Sequence, residues 1–154
     1  MRGITRRSFL YLSFSSLGIF FLPSCRKKHP LSNNPEEILQ ELRAHPVINK
    51  LKAGEIVFLH KSIEGLSPKG KEALACIQQA LIVLELLPPI SEREYGIYGD
   101  KTAKAIFQLQ NWAKIDQIEG WEGRKIEVKT IKALERALEE KLHNRWAPPG
   151  NFVL

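Results

Sequence analysis

Apolar and polar positions are arranged in two different ways along this chain, and each predicts a different kind of segment. Phe9 to Leu22 is an apolar run of about 14 residues without a charge. Between residues 67 and 142 the pattern changes to steps of three and four. Leu74, Ile77, Leu81 and Leu84 form one set, Ala103, Ile106, Phe107 and Gln110 a second, and Val128, Ile131, Leu134, Leu138 and Leu142 a third. That spacing puts each set on one face of a helix. Ser67-Pro68 is an expected helix start, Pro88-Pro89 an expected end, and Asp100 the expected cap of the second helix. Short amphipathic helices cannot bury their faces alone, so the three are expected to pack together as an all-α bundle.

The chain ahead of this bundle carries weaker signals. Asn34-Pro35-Glu36-Glu37 has an Asn cap, Pro in the first turn and acid near the helix start, which predicts a short helix to about His45 and another turn before Gly54. Glu55 to His60 is short, apolar and partly β-branched, and reads as an extended segment. The expected organisation is therefore a short helical and extended N-terminal extension at 35–65, a helical domain at 66–143 and a C-terminal tail at 144–154. Residues 26–34 combine charge, proline and small polar side chains, which make a tether rather than a core.

Arg2, Arg6 and Arg7 ahead of the apolar run read as a signal peptide over residues 1–24. The run falls short of the roughly 20 residues that a membrane-spanning helix needs. Thr5-Arg6-Arg7-Ser8-Phe9-Leu10 resembles a twin-arginine export signal. Leu22-Pro23-Ser24-Cys25 resembles the lipobox of bacterial lipoproteins, departing from it at Pro23. That resemblance implies acylation of Cys25, with a diacylglycerol on sulfur and usually a third chain on the new amino group. Two or three acyl chains hold a protein stably at a bilayer where one does not. Arg26-Lys27-Lys28 would then lie against anionic headgroups. With Arg26 in place of the aspartate that retains enterobacterial lipoproteins at the inner membrane, the resemblance favours the outer membrane, facing the periplasm.

Loss of residues 1–24 would leave 130 of the 154 residues, enough for one domain and a tether. The formal charge of +6 falls to +3 when Arg2, Arg6 and Arg7 leave. So mild an excess points to headgroups and wall polymers rather than to nucleic acid.

Across residues 67–142 the pattern resembles the small three-helix peptidoglycan-binding domain, over about 75 of the 154 residues. Leu74, Ile77-Gln78, Leu81 and Leu84 follow the order of its first helix. Tyr95-Gly96-Ile97-Tyr98-Gly99-Asp100-Lys101-Thr102, then Ala105-Ile106 and Leu109-Gln110, follow its central turn and second helix. The chain departs from the family where Tyr95 replaces the turn aspartate and Leu109 replaces phenylalanine. Glu119-Gly120-Trp121-Glu122-Gly123, several residues ahead of Val128-Lys129-Thr130, looks like an insertion in the second half-repeat.

The resemblance implies non-covalent binding of peptidoglycan by a membrane-anchored lipoprotein. The alternative is an envelope adaptor in which the same fold docks a protein such as a wall hydrolase or secretion component. Sugar faces call for aromatic rings and stem-peptide carboxylates for donors. The candidate rings are Tyr95, Tyr98, Trp112 and Trp121, and the candidate polar contacts are Asp100, Thr102 and Gln110, with Lys101 and Arg124. Tyr98 and Trp112 also suit a core, and Gln78 and Gln110 also suit backbone bonds near the turns. Gly96 and Gly99 are both expected to allow positive φ.

Nothing in the sequence suggests catalysis, a cofactor or a metal. His29, His45, His60 and His143 are scattered without zinc-ligand spacing, and Cys76 reads as a small core residue on an apolar helix.

Overall fold

The computed structural model describes residues 32–60, 66–115 and 125–150, and within them the chain is mostly helical. Helix α1 runs Pro35–Ala44, and its cap Asn34 accepts the Glu36 N–H at 3.0 Å. His45 both ends α1, by donating its N–H to Glu41 O, and starts α2 (Pro46–Lys52), by accepting the Val47 N–H on Nδ1 at 3.2 Å. Pro46 has no N–H to continue the first ladder, so the chain turns there. Strand β1 (Phe58–Leu59) follows, then α3 (Pro68–Val83), whose cap Ser67 accepts the Gly70 N–H. Helix α4 spans Asp100–Trp112, strand β2 Lys125–Ile126 and helix α5 Val128–Leu142.

The expected three-helix bundle with an appended extension gives way to five helices around one core. Helix α1 packs on both α3 and α5, as does α2. Leu42, Ile48 and Leu51 are as fully buried as Leu74, Ile77 and Leu81 of α3 or Ile131, Leu134 and Leu138 of α5. A three-helix set would leave that flank of α3 and α5 in water, and the first two helices cover it with the buried side chains of Ile38, Leu39, Leu42, Ile48 and Leu51, each worth about 1.5–3 kcal/mol when fully buried. The extended segment also has a partner that periodicity does not reveal. It is β2, paired antiparallel with Phe58 opposite Ile126 and Leu59 opposite Lys125.

One helix end and one face position differ from expectation. Helix α3 stops at Val83, ahead of Pro88, because Glu85 enters the left-handed region (φ 61°) and the N–H groups of Leu86 and Leu87 both turn back to Leu81 O. Leu142, at the end of the third apolar set, is 38% exposed. Among the described residues no helix is long and apolar enough to cross a membrane.

Candidate functional site

The connection from α3 to α4 is built around one buried glutamine. Gln78 lies on the core side of α3, fully buried, and its amide faces residues 94–102. Its Oε1 accepts the Gly96 N–H at 2.8 Å, while Nε2 donates to Ile97 O at 2.9 Å, Thr102 Oγ1 at 3.0 Å and Glu94 O at 3.2 Å. One side chain thus ties the turn to the first turn of α4. Gly96 has φ +75°, and a Cβ there would sit 3.0 Å from both Cβ and O of Lys71, so the turn lies directly on α3. Gly99 departs from expectation, with φ −90° and open space around it.

The outer side of the turn is also braced. Glu94 accepts from Ser91 N and Oγ at 2.9 Å each, and Lys101 Nζ donates to it at 2.8 Å. The bond from Lys101, then those from Ser91, hold the Glu94 carboxyl at about 2, so it stays ionised through the mildly acidic range. Rigidly held in this way, the turn presents Ile97, 48% exposed, beside the exposed Asp100 and Lys101.

Tyr95 stands half-buried at the edge of an open groove of about 760 Å³. Its hydroxyl donates to Gln79 Oε1 at 3.0 Å, and Gln79 Nε2 donates in turn to Ser32 O and Asn33 Oδ1. Burial raises the Tyr95 phenol above its ordinary range, so it remains a neutral donor. Ile82, Val83, Pro35 and Pro89 supply apolar wall, and Glu92 and Lys141 supply charge. A ring, an apolar floor and a few polar groups are the makings of a receptor for an amphiphilic ligand such as a sugar or peptide.

Several candidate residues are placed elsewhere than expected. Thr102 is 3% exposed and Gln110 5%, and both are occupied inside the fold, so they act as internal braces and not as ligand contacts. Tyr98 is 5% exposed, with its ring packed edge-on to the His60 imidazole at 5.6 Å. Asp100 does not cap α4. It is the first helical residue, the N-cap is Gly99 without a side-chain bond, and the Asp100 carboxylate accepts from His60 Nε2 at 2.9 Å. Trp112 is partly buried against the core and edge-on to Trp146 at 4.9 Å, with the Arg136 guanidinium 5.1 Å from its ring. Cys25, Trp121 and Arg124 lie outside the described residues. Among the described candidates at the turn, Tyr95, Asp100 and Lys101 keep access to solvent.

The arrangement repeats. Gln110 on α4 donates to Lys125 O at 2.9 Å and to Thr130 Oγ1 at 3.0 Å, as Gln78 on α3 does to a turn carbonyl and Thr102. The glutamine–threonine separations are 24 and 20 residues. Sequence periodicity points to neither Gln79, His60 nor Trp146, because polar groups that bridge distant segments leave no local period. The one available signal was glutamine on the apolar face of two successive helices, since a buried amide must find partners.

The buried thiol of Cys76 is held apart from the site. Cys76 is 2% exposed, and burial pushes its thiol far above the ordinary range, with Glu41 adding to the effect. The His60 imidazole is turned to Asp100. In a chain starting at residue 26, thiol reagents are expected to label Cys76 only on global opening, roughly 1,000-fold more slowly than in the unfolded chain. Prompt labelling of the native protein would contradict this burial. No group of three or more potential metal-ligating side chains occurs among the described residues. Compared with known proteins, the chain matches no family model, no curated protein and no solved structure.

Proposed function

We propose that this chain is an exported lipoprotein, acylated on Cys25, whose helical domain binds peptidoglycan without forming a covalent bond. The observation that carries the reading is the turn at 94–102, held from inside by Gln78 and bordered by the Tyr95 groove. A turn braced on both sides costs conformational entropy that is recovered when a ligand meets a preformed surface. A second glutamine–threonine brace, at Gln110 and Thr130, repeats that of Gln78 and Thr102 and holds the next connection in the same way. Tyr95 offers its ring to a sugar face, and Lys101 offers its ammonium to a stem-peptide carboxylate in competition with Glu94. Lipid at one end and wall at the other would tether the two layers, at the outer membrane where the cell has one.

A protein-docking adaptor is the second reading, favoured by the exposed apolar side chains Val57, Leu59 and Ile97, at 43%, 45% and 48%. Co-sedimentation with purified sacculi separates the two. The chain from residue 26 is expected to pellet with sacculi at low salt. Tyr95→Ala/Ile97→Ala, still folded by circular dichroism, is expected to bind about tenfold more weakly, a loss of about 1.4 kcal/mol. A folded parent that stays in the supernatant would sink the wall-binding reading and leave the adaptor.

A further inference from the structure

Helix α5 sorts its charges. Glu135 and Glu139 are drawn toward the first two helices, Glu135 by Lys52 at 2.8 Å and Glu139 by Arg43. The middle of its solvent face is cationic, because Lys129, Lys132 and Arg136 are exposed and recur at helical spacing. Neither Lys129 nor Lys132 has an ion pair among the described residues. Arg136 contacts Glu140 at 3.2 Å and also lies over the Trp112 ring. The stripe thus ends at two partly exposed indoles, Trp112 and Trp146, set edge to face at 4.9 Å. The Trp146 N–H donates to Leu84 O at 3.0 Å, which fixes that ring in place.

We infer that this face of α5, with the tryptophan pair at its end, is a docking surface for the anionic headgroups of a lipid bilayer. Phosphates spread over a plane match a row of lysine and arginine side chains, each of which can approach one headgroup. Indole, apolar in body with one polar N–H, settles at the level of the headgroups, and a cation stacked on it can reach a phosphate from the same place. A soluble anion would need no row and no ring. The surface is separate from the groove at Tyr95, and it does not rest on the wall-binding reading. If Cys25 is acylated, the contact would set how the domain lies on its own membrane.

All buried apolar side chains among the described residues fall between Ile38 and Leu138, so the chain from Ser32 to Leu154 holds the folded core and lacks the basic run Arg26-Lys27-Lys28. That chain is expected to pellet with phosphatidylglycerol vesicles at low salt, to be released by high salt, and to ignore phosphatidylcholine vesicles. Lys129→Glu/Lys132→Glu should weaken vesicle binding by roughly 30-fold or more. A control with the same change of charge on other elements, Lys50→Glu/Lys69→Glu, should lose far less. Equal loss in both pairs would reduce the effect to net charge and overturn the inference, as would equal binding to neutral vesicles. So would failure of the folded parent to bind anionic vesicles, and if sacculus binding then fell in Lys129→Glu/Lys132→Glu alone, the stripe would belong to an anionic wall polymer. The groove variant Tyr95→Ala/Ile97→Ala should bind vesicles as the parent does, which keeps the two surfaces distinguishable.

Discussion

Gln78→Ala is expected to remove about 3–5 kcal/mol of folding stability. The substitution strips the Gly96 N–H of its acceptor and takes the amide donor from Ile97 O, Glu94 O and Thr102 Oγ1. Gly96 and Thr102 are both buried, so water cannot replace the amide without opening the turn. Each buried group left unsatisfied costs about 1–3 kcal/mol, a large share of the about 5–15 kcal/mol that typically separates folded from unfolded chains. Gln110→Ala makes the natural comparison. It removes a donor from Lys125 O and Thr130 Oγ1, and about 2 kcal/mol is expected from the loss of those two bonds. Urea melts of both variants check the order, and a Gln78→Ala loss under about 1 kcal/mol would show that the turn does not depend on this amide. The paired change Gln78→Ala/Thr102→Val should cost less than the sum of its parts, because both remove the same bond.

Gly96→Ala is expected to cost about 2–4 kcal/mol, for two reasons that can be separated. The first is conformational. At φ +75° an L side chain meets its own carbonyl, at about 1–2 kcal/mol. The second is the close approach to α3, where the new Cβ would stand 3.0 Å from Lys71 O and Cβ and 3.3 Å from its Cα. Those atoms are backbone, or fixed directly to it, and cannot swing aside. Gly54 has the same φ of +75°, but its nearest neighbour is Val128 Cγ2 at an ordinary 3.6 Å, so Gly54→Ala should show the conformational cost alone. The difference between the two melts measures how tightly the turn is laid on the helix. Equal losses would mean that the turn and α3 can separate freely. Because the turn carries Tyr95 and Ile97, Gly96→Ala should also weaken sacculus binding even where the protein remains folded.

Both expectations arise from the same design, in which polar side chains inside the bundle hold the shape of its outer loops. Tyr98, Thr102 and Gln110 belong to that interior, although the family that their spacing resembles implied ligand contacts there. A pattern can be read equally well as binding surface or as scaffold when its residues are amphipathic, and burial separates the two. Tyr95 went the other way. It is a departure from the pattern that the sequence resembles, yet it forms the edge of the groove, held there by its bond to Gln79.

The sequence by itself determined what depends on neighbours along the chain. Apolar residues at steps of three and four specify α3, α4 and α5 because a helix brings those positions to one side, and Asn34 and Ser67-Pro68 specify where helices begin because caps act within one turn. Only the tertiary structure decided what joins distant segments. The packing of α1 and α2 on α5, the pairing of Phe58 with Ile126, the reach of Gln79 back to Ser32, and the seat of Trp146 on Leu84 O span 47 or more residues each. Burial and hydrogen bonding do not depend on separation along the chain, so these contacts leave no period to read, and the same helix-forming residues could have been packed in more than one order until the polar bridges and the shared core selected this one.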